Sequence, residues 1–269
     1  MPLRWHERKR LGSRTRTRGP RGLPRDQIPR PPHQRVIPNM RVILFDIDGT
    51  LLSSSHAGKA ALEKAMVDLH GVPDSMAGIS LAGRTDRSIV RDLTRAHRVG
   101  EGRPTEDAIL EGYLSYLPEQ LLHKQQAGQA SLLPGIVPIL DALAETPGVA
   151  VGLLTGNIRR GAALKLGFFG INDRFSFGGF GDHHFDRDEV AREAWGEVFG
   201  RFGSDLQPDQ VLVIGDTPLD VQCARAIGAR VLAVATGVHT LQQLAECQPD
   251  YCLPDLANHS RVIEACLGR

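Results

Sequence analysis

Residues 42–52 read VILFDIDGTLL: four apolar residues, then Asp46 and Asp48 one residue apart, then an abrupt Gly49-Thr50 turn. Paired acids divide labour well, one ionised as nucleophile or cation ligand and the other carrying a proton. Two further carboxylates, Asp216 and Asp220, follow the apolar run VLVIG, and a hydroxyl and an amide, Thr155 and Asn157, follow VGLL across Gly156. Four carboxylates gathered at one place cannot all stay ionised unless a cation joins them. An all-oxygen ligand set suits Mg²⁺, which keeps several waters and is usually completed by a substrate phosphate.

The elements that must position these groups follow from the apolar pattern. Short, mostly continuous apolar runs at 42–45, 149–154, 175–180, 211–214 and 231–234 predict strands buried on both faces, with a last short strand at 251–253. Helical spacing fills 136–145, 158–166, 188–202 and 218–227, and a terminal helix is expected over 255–267. This alternation predicts an α/β fold with a parallel sheet and right-handed crossovers. The carboxyl ends of its strands then place Asp46, Asp48, Thr155, Asn157, Asp216 and Asp220 along one edge. Residues 53–132 break the alternation: HAGKAALEKAMVDLH, RTDRSIVRDLTRAH and TEDAILEGYLSYLPEQLLHK all carry apolar residues at helical spacing. An all-helical insertion is expected there, over the crevice where open α/β sheets bind ligands.

Charge is unevenly spread. The net charge of the 269 residues is +1, but residues 1–40 hold eleven Lys/Arg, seven prolines and only two acids, Glu7 and Asp26. That segment is expected to be a disordered basic arm, or to lie upstream of a true start at Met40. It lacks a nucleic-acid-binding motif and its one aromatic is Trp5, so nucleic acid is not the expected partner. No run of 18 apolar residues predicts a membrane span. Cys223, Cys247, Cys252 and Cys266 form no C-x-x-C, which predicts reduced thiols and a cytoplasmic protein. His183-His184 reads as a polar loop, because adjacent side chains on extended chain point in opposite directions.

Asp46-Ile47-Asp48-Gly49-Thr50, Thr155 after its strand, and Gly215-Asp216-Thr217-Pro218-Leu219-Asp220 resemble the first, second and fourth motifs of the haloacid dehalogenase superfamily, in particular its phosphoglycolate phosphatase-like members with a helical cap. The likeness runs from about Arg41 to the C-terminus. It implies a Rossmann-type parallel-sheet core over 41–52 and 133–269, a cap over 53–132, and the arm (1–40) outside both. It further implies a Mg²⁺-dependent phosphatase in which Asp46 attacks phosphorus to give an aspartyl-phosphate. Asp48 then protonates the leaving alcohol and deprotonates water. Mg²⁺ is held by Asp46, the Asp48 carbonyl, Asp216 and Asp220. Thr155, Gly156 and Asn157 bind phosphate, helped by N–H groups opening the next helix.

The family's third motif is a lysine or arginine beside the nucleophile, and here Lys165 and Arg187 compete for it, with Lys165 preferred. In the insertion, Arg84 of AGRTD is expected to fork onto a substrate carboxylate or phosphate. The expected substrate is a small phosphate ester, phosphoglycolate first, and the assembly a monomer or homodimer. Asp48 disfavours a dehalogenase. A phosphonatase would need a cap lysine such as Lys59, Lys64 or Lys124 in a recognisable context. A mutase, or a non-catalytic phospho-acceptor, is the remaining alternative.

Overall fold

A computed structural model describes residues 40–203 and 205–268. The expected disordered arm lies outside these residues, apart from Met40. Among the described residues the order is β1 (Arg41–Phe45), β2 (Leu52–Ser53), α1 (Ala57–His70), α2 (Asp86–His97), α3 (Arg103–Gln126), β3 (Ser131–Leu132), α4 (Ile136–Glu145), β4 (Val149–Leu154), α5 (Arg159–Phe168) and β5 (Gly178–Gly179). There follow α6 (Arg187–Phe202), β6 (Val211–Gly215), α7 (Pro218–Ala226), β7 (Arg230–Val234), α8 (Leu241–Glu246), β8 (Tyr251–Leu253) and α9 (His259–Leu267).

Six strands form one sheet in the order β5-β4-β1-β6-β7-β8, every pair parallel. Central β1 pairs Arg41 with Val149 on one side and Val42 with Val211 on the other. Its side chains alternate between two cores. Ile43 and Phe45 join a cluster with residues of α4, α5 and α9, whereas Val42 and Leu44 join one with residues of α6 and α7. Burial on both faces explains the continuous apolar run. The chain order around β1 and β6 brings the ends of β1, β4 and β6 side by side, which is what gathers the candidate residues.

In the helical insertion Leu62 and Met66 of α1, Val90 and Leu93 of α2 and Leu117 and Leu121 of α3 are buried together, in a cluster that Ile158, Leu164 and Phe168 at α5 complete. The insertion leaves and re-enters the sheet through a two-stranded antiparallel ladder, Leu52 opposite Leu132 and Ser53 opposite Ser131. No helix among the described residues is long and apolar enough to cross a membrane.

Three expectations need correcting. The strand expected over 175–180 shrinks to Gly178–Gly179. Phe175 closes a 3-10 turn at Asn172–Arg174, and a Cβ on Gly179 would run into the Val190 carbonyl of α6, so the segment is shaped by close helix approach. The terminal helix starts at His259 instead of 255, because Asn258 accepts the Arg261 N–H as its N-cap and Asp255 is used in the turn before it. Helix α8 was not expected, although Thr240 and Gln243 carry the capping box that opens it.

Candidate active site

The Asp46 N–H extends the β1 ladder by one rung, donating to the Ile214 carbonyl at 2.9 Å. Gly49 then turns the chain at φ +82°, in a position where a Cβ would collide with the Asp216 carboxylate. The two aspartates, both ahead of that turn, meet different partners. Asp46 faces Asp216, Asp220 and Arg187; Asp48 faces Lys165, Asn157 and Ser54.

On the first side, carboxylate oxygens of Asp46, Asp216 and Asp220 lie within 4.8 Å of one another, and all three residues are buried. Burial pushes the Asp46 carboxyl up to about 7; Arg187 opposes this, while Asp220 and Asp48 add to it. Burial, then Asp220 and Asp46, push Asp216 up to about 9. Asp220 itself is fully engaged, with Oδ1 taking Arg187 Nη2 and Oδ2 accepting from the Thr217 N–H at 3.0 Å and its hydroxyl at 2.7 Å. Arg187 reaches Asp46 Oδ1 at 3.3 Å and the Leu154 carbonyl at 3.3 Å. Three buried acids against one guanidinium leave an excess of negative charge. The donor set therefore fits a hard divalent cation, with Asp46 and Asp216 as its ligands, although Arg187 also holds Asp46 Oδ1 and the Thr50 hydroxyl donates to Asp216 Oδ1 at 3.3 Å, and with Asp220 supporting from behind.

On the second side, Lys165 Nζ donates to Asp48 Oδ2 at 2.5 Å and to Asn157 Oδ1 at 2.6 Å. Asn157 Nδ2 adds a bond to Asp48 at 3.0 Å and one to Thr155 Oγ1 at 2.9 Å, and the Ser54 hydroxyl donates to Asp48 Oδ1 at 2.7 Å. Burial works to raise the Asp48 pKa, but the Lys165 ammonium and these hydrogen bonds outweigh it and hold the carboxyl below its ordinary value. Lys165 is raised in turn: burial opposes its charge, and Asp48, Tyr113 and Asp86 more than compensate.

Three expectations change here. Lys165 was preferred as the cation beside Asp46, yet it is Arg187, the first residue of α6, that touches Asp46, while Lys165 serves Asp48. Arg84 was expected to reach substrate. Its side chain instead bonds to Asp92 at 2.7 Å and to the carbonyls of Ser88 and Ser80, inside the insertion. What the AGRTD loop brings to the crevice is backbone. A Cβ on Gly156 would collide with the Arg84 carbonyl, and one on Gly83 would meet Thr217 and Leu219.

The N–H groups opening α5 are also not free as expected, since Ile158 N–H donates to Asp86 and Arg159 N–H to Asp182. His183 and His184 do form a polar loop, His183 accepting from Arg103 through its carbonyl and His184 pairing with Glu193 at 2.6 Å.

The profile of the haloacid dehalogenase-like hydrolases matches residues 43–234, which holds every one of these groups. The chain belongs to that family. It is thus an enzyme, and within the haloacid dehalogenase-like hydrolases it is phosphoglycolate phosphatase-like. A phosphoglycolate phosphatase of Rhodospirillum rubrum is 28% identical over 205 residues, covering 73% of this chain and 80% of that protein. One from Synechococcus elongatus is 28% identical over 220 residues, covering 80% and 92%. Among solved structures, a predicted phosphoglycolate phosphatase from Haemophilus somnus superposes with a TM-score of 0.62 at 20% identity, covering 84% of this chain and 98% of that one. A predicted phosphatase from Clostridium acetobutylicum gives 0.63 at 17% identity, covering 84% and 99%. At such identities the structures speak for the fold.

Against the motifs of this hydrolase family, Ser54, Asp86 and Asp182 escaped the sequence reading. Ser54 reaches Asp48 only because β2 folds the chain back. Asp86 carried a usable signal, as the acid following the Thr85 N-cap at the start of α2. Asp182 carried none.

Proposed function

We propose that this hydrolase is a Mg²⁺-dependent phosphatase acting on small phosphate monoesters through an aspartyl-phosphate on Asp46. The observation that carries the reading is the opposed placement of the two aspartates. Asp46 sits in the acid cluster with Arg187 at its side, and Asp48 stands across from it in a separate hydrogen-bonded set.

In this reading Asp46 Oδ attacks phosphorus, the bond from phosphorus to the ester oxygen breaks, and the leaving oxygen takes a proton from Asp48, whose carboxyl is ionised beside Lys165 in the free protein and takes up that proton as the anionic ester binds. Asp48, now ionised beside Lys165, removes a proton from water, whose oxygen attacks phosphorus and returns the Asp46 carboxylate with release of phosphate. Thr155 and Asn157 orient the phosphate oxygens. Arg187 offsets charge on the nucleophile and on the transferring group. Asp46, the Asp48 carbonyl and Asp216, with Asp220 behind them, would hold Mg²⁺, which would supply positive charge to the phosphoryl oxygens.

The reading divides the chain into a core over 41–52 and 133–269 and a cap over 53–132, hinged at the β2–β3 ladder. The relatives favour phosphoglycolate as the first substrate to try. Four free thiols fit a reducing, cytoplasmic setting.

The test is phosphate release from a panel of small esters, phosphoglycolate first, with Mg²⁺ and with EDTA. Turnover that EDTA abolishes and Mg²⁺ restores is expected. Turnover indifferent to EDTA would overturn the metal assignment, and release of halide from a small haloacid assayed alongside, with no phosphate from any ester, would overturn the phosphatase.

A further inference from the structure

The insertion packs on the core through α3 against α5, and two consecutive residues at the start of α2 add polar bonds to the loops that carry the candidate residues. The Asp86 N–H donates to the Gly156 carbonyl at 2.8 Å, and Asp86 Oδ2 accepts the Ile158 N–H at 2.9 Å. Asp86 thus closes a two-point bond with the loop that carries Thr155 and Asn157; burial pushes its carboxyl up to about 6, and Lys165 and the Ile158 N–H at the N-terminus of α5 offset that in part. Next to it, buried Arg87 sends Nε to the Asp182 carbonyl at 3.2 Å, while Nη1 pairs with Asp107 at 2.6 Å and Glu106 at 3.5 Å on α3.

The loop that Arg87 grips is the one that leads into α6. Gly181 N–H donates to the Asn157 carbonyl at 2.8 Å, Asp182 caps Arg159 N–H at 2.8 Å, and five residues later comes Arg187 with its hold on Asp46 and Asp220. Two more arginines of the insertion lie on the same loop, Arg91 over the Phe185 ring at 4.2 Å and Arg103 on the His183 carbonyl at 3.4 Å. Both core loops therefore share fasteners that belong to the insertion.

We propose that Asp86 and Arg87 form a clasp whose engagement positions the reacting groups. Asp86 sets Thr155 and Asn157 through the Gly156 loop, and Arg87 sets Arg187 through the 181–186 loop. Both are positioning residues. When the insertion lifts, the α5 N-terminus loses its carboxylate and the 181–186 loop loses its guanidinium, so the site is assembled only with the insertion seated. This ties closure to chemistry through two named residues that touch neither substrate nor metal, and its catalytic half rests on the phosphatase reading.

The experiment is amide hydrogen exchange on the full-length protein, wild type, Asp86→Ala, Asp86→Asn and Arg87→Ala, beside kcat and KM on the best ester of the panel. Asp86→Ala removes one buried hydrogen bond to the α5 amide, and Arg87→Ala removes its one bond to the 181–186 loop together with two ion pairs inside the insertion, so exchange about tenfold faster is expected, in 156–160 for Asp86→Ala and in 181–190 for Arg87→Ala. Protection of β6 should be unchanged, which shows the fold intact. Asp86→Asn keeps an acceptor oxygen and should return exchange to near the wild-type rate.

In the same variants kcat should fall about tenfold or more while KM moves less, because the folded enzyme has lost positioning of its reacting groups. Wild-type exchange in both loops of both alanine variants would overturn the clasp, as would wild-type kcat in variants whose loops exchange faster. Should Arg87→Ala fail to fold, Arg87→Gln, which keeps one donor, carries the same expectation at smaller size. If the wild type turns over no ester, the exchange rates still decide the clasp, so its failure is separable from that of the phosphatase reading.

Discussion

Arg187 lies between Asp46 and Asp220, 3.3 Å from the first and in close ion-pair contact with the second, while Lys165 stands 2.5 Å from Asp48 and makes no ion pair with either of those acids. The site therefore carries two cations with separate clients. Removing Arg187 leaves Asp46, Asp216 and Asp220 buried together without their counterion. Arg187→Ala should cost about 3–5 kcal/mol of stability, as breaking a buried pair does, and abolish turnover. Chemical denaturation with and without Mg²⁺ checks it, and Mg²⁺ should recover part of the loss.

Lys165→Met acts on the other side. The Asp48 pKa is depressed in the folded protein, so its contribution to stability is present above the ordinary carboxylate pKa and is lost as pH falls through the folded value. The Lys165 pKa is raised, so its contribution is present below the ordinary lysine range and lost at alkaline pH. The pair thus stabilises across neutral pH. Because the Asp48 side chain is 36% exposed, the loss in Lys165→Met should be only about 1–2 kcal/mol at pH 7. Urea midpoints should show that difference at pH 7 and close it as the solution is made strongly acid.

Metal binding should depend on pH in a fixed direction. Asp46 and Asp216 are raised to about 7 and about 9, so in the metal-free protein they contribute stability at low pH that disappears as pH rises through those values. Mg²⁺ must displace the remaining protons. The increase in Tm on adding Mg²⁺ should therefore be small at acid pH and grow steadily toward alkaline pH, and thermal melts across that range check it.

Arg84→Ala separates a cap brace from a substrate contact. With the guanidinium on Asp92 and the Ser88 carbonyl, the variant should keep KM within about threefold and lose about 1 kcal/mol of stability or less, the usual scale of a partly exposed pair. A large rise in KM at unchanged stability would return Arg84 to the substrate.

Gly49→Ala tests the turn that follows the two aspartates and packs against Asp216. The left-handed φ and the collision with Asp216 should together remove activity at a cost of about 1–3 kcal/mol, read by turnover and thermal melting.

What could be read from the chain and what could not follow from distance along it. Asp46 with Asp48, Thr155 with Asn157, and Asp216 with Asp220 were legible because each pair sits within a few residues of an apolar strand end, and a parallel sheet aligns such ends. The clients of Lys165 and Arg187 were not legible. Which acid each reaches depends on how α5 and α6 pack on the sheet, 117 residues from Asp48 in one case and 141 from Asp46 in the other. Arg84 looked free because its partner Asp92 comes two helical turns later, an i,i+8 relation that helix rules do not flag. The strand at 175–180 looked long because apolar residues there serve the core from irregular backbone, and only Gly178–Gly179 pairs.

The central claim is that Asp46 takes the phosphoryl group. The most direct measurement is acid quenching during turnover, followed by peptide mass analysis of the wild type, Asp46→Asn and Asp48→Asn. The account predicts one phosphoryl mass on the peptide holding Asp46 in the wild type, persisting longer in Asp48→Asn, whose water is no longer activated, and absent in Asp46→Asn. Turnover with no phosphorylated peptide at any quench time, or a phosphoryl group on another residue, would contradict it.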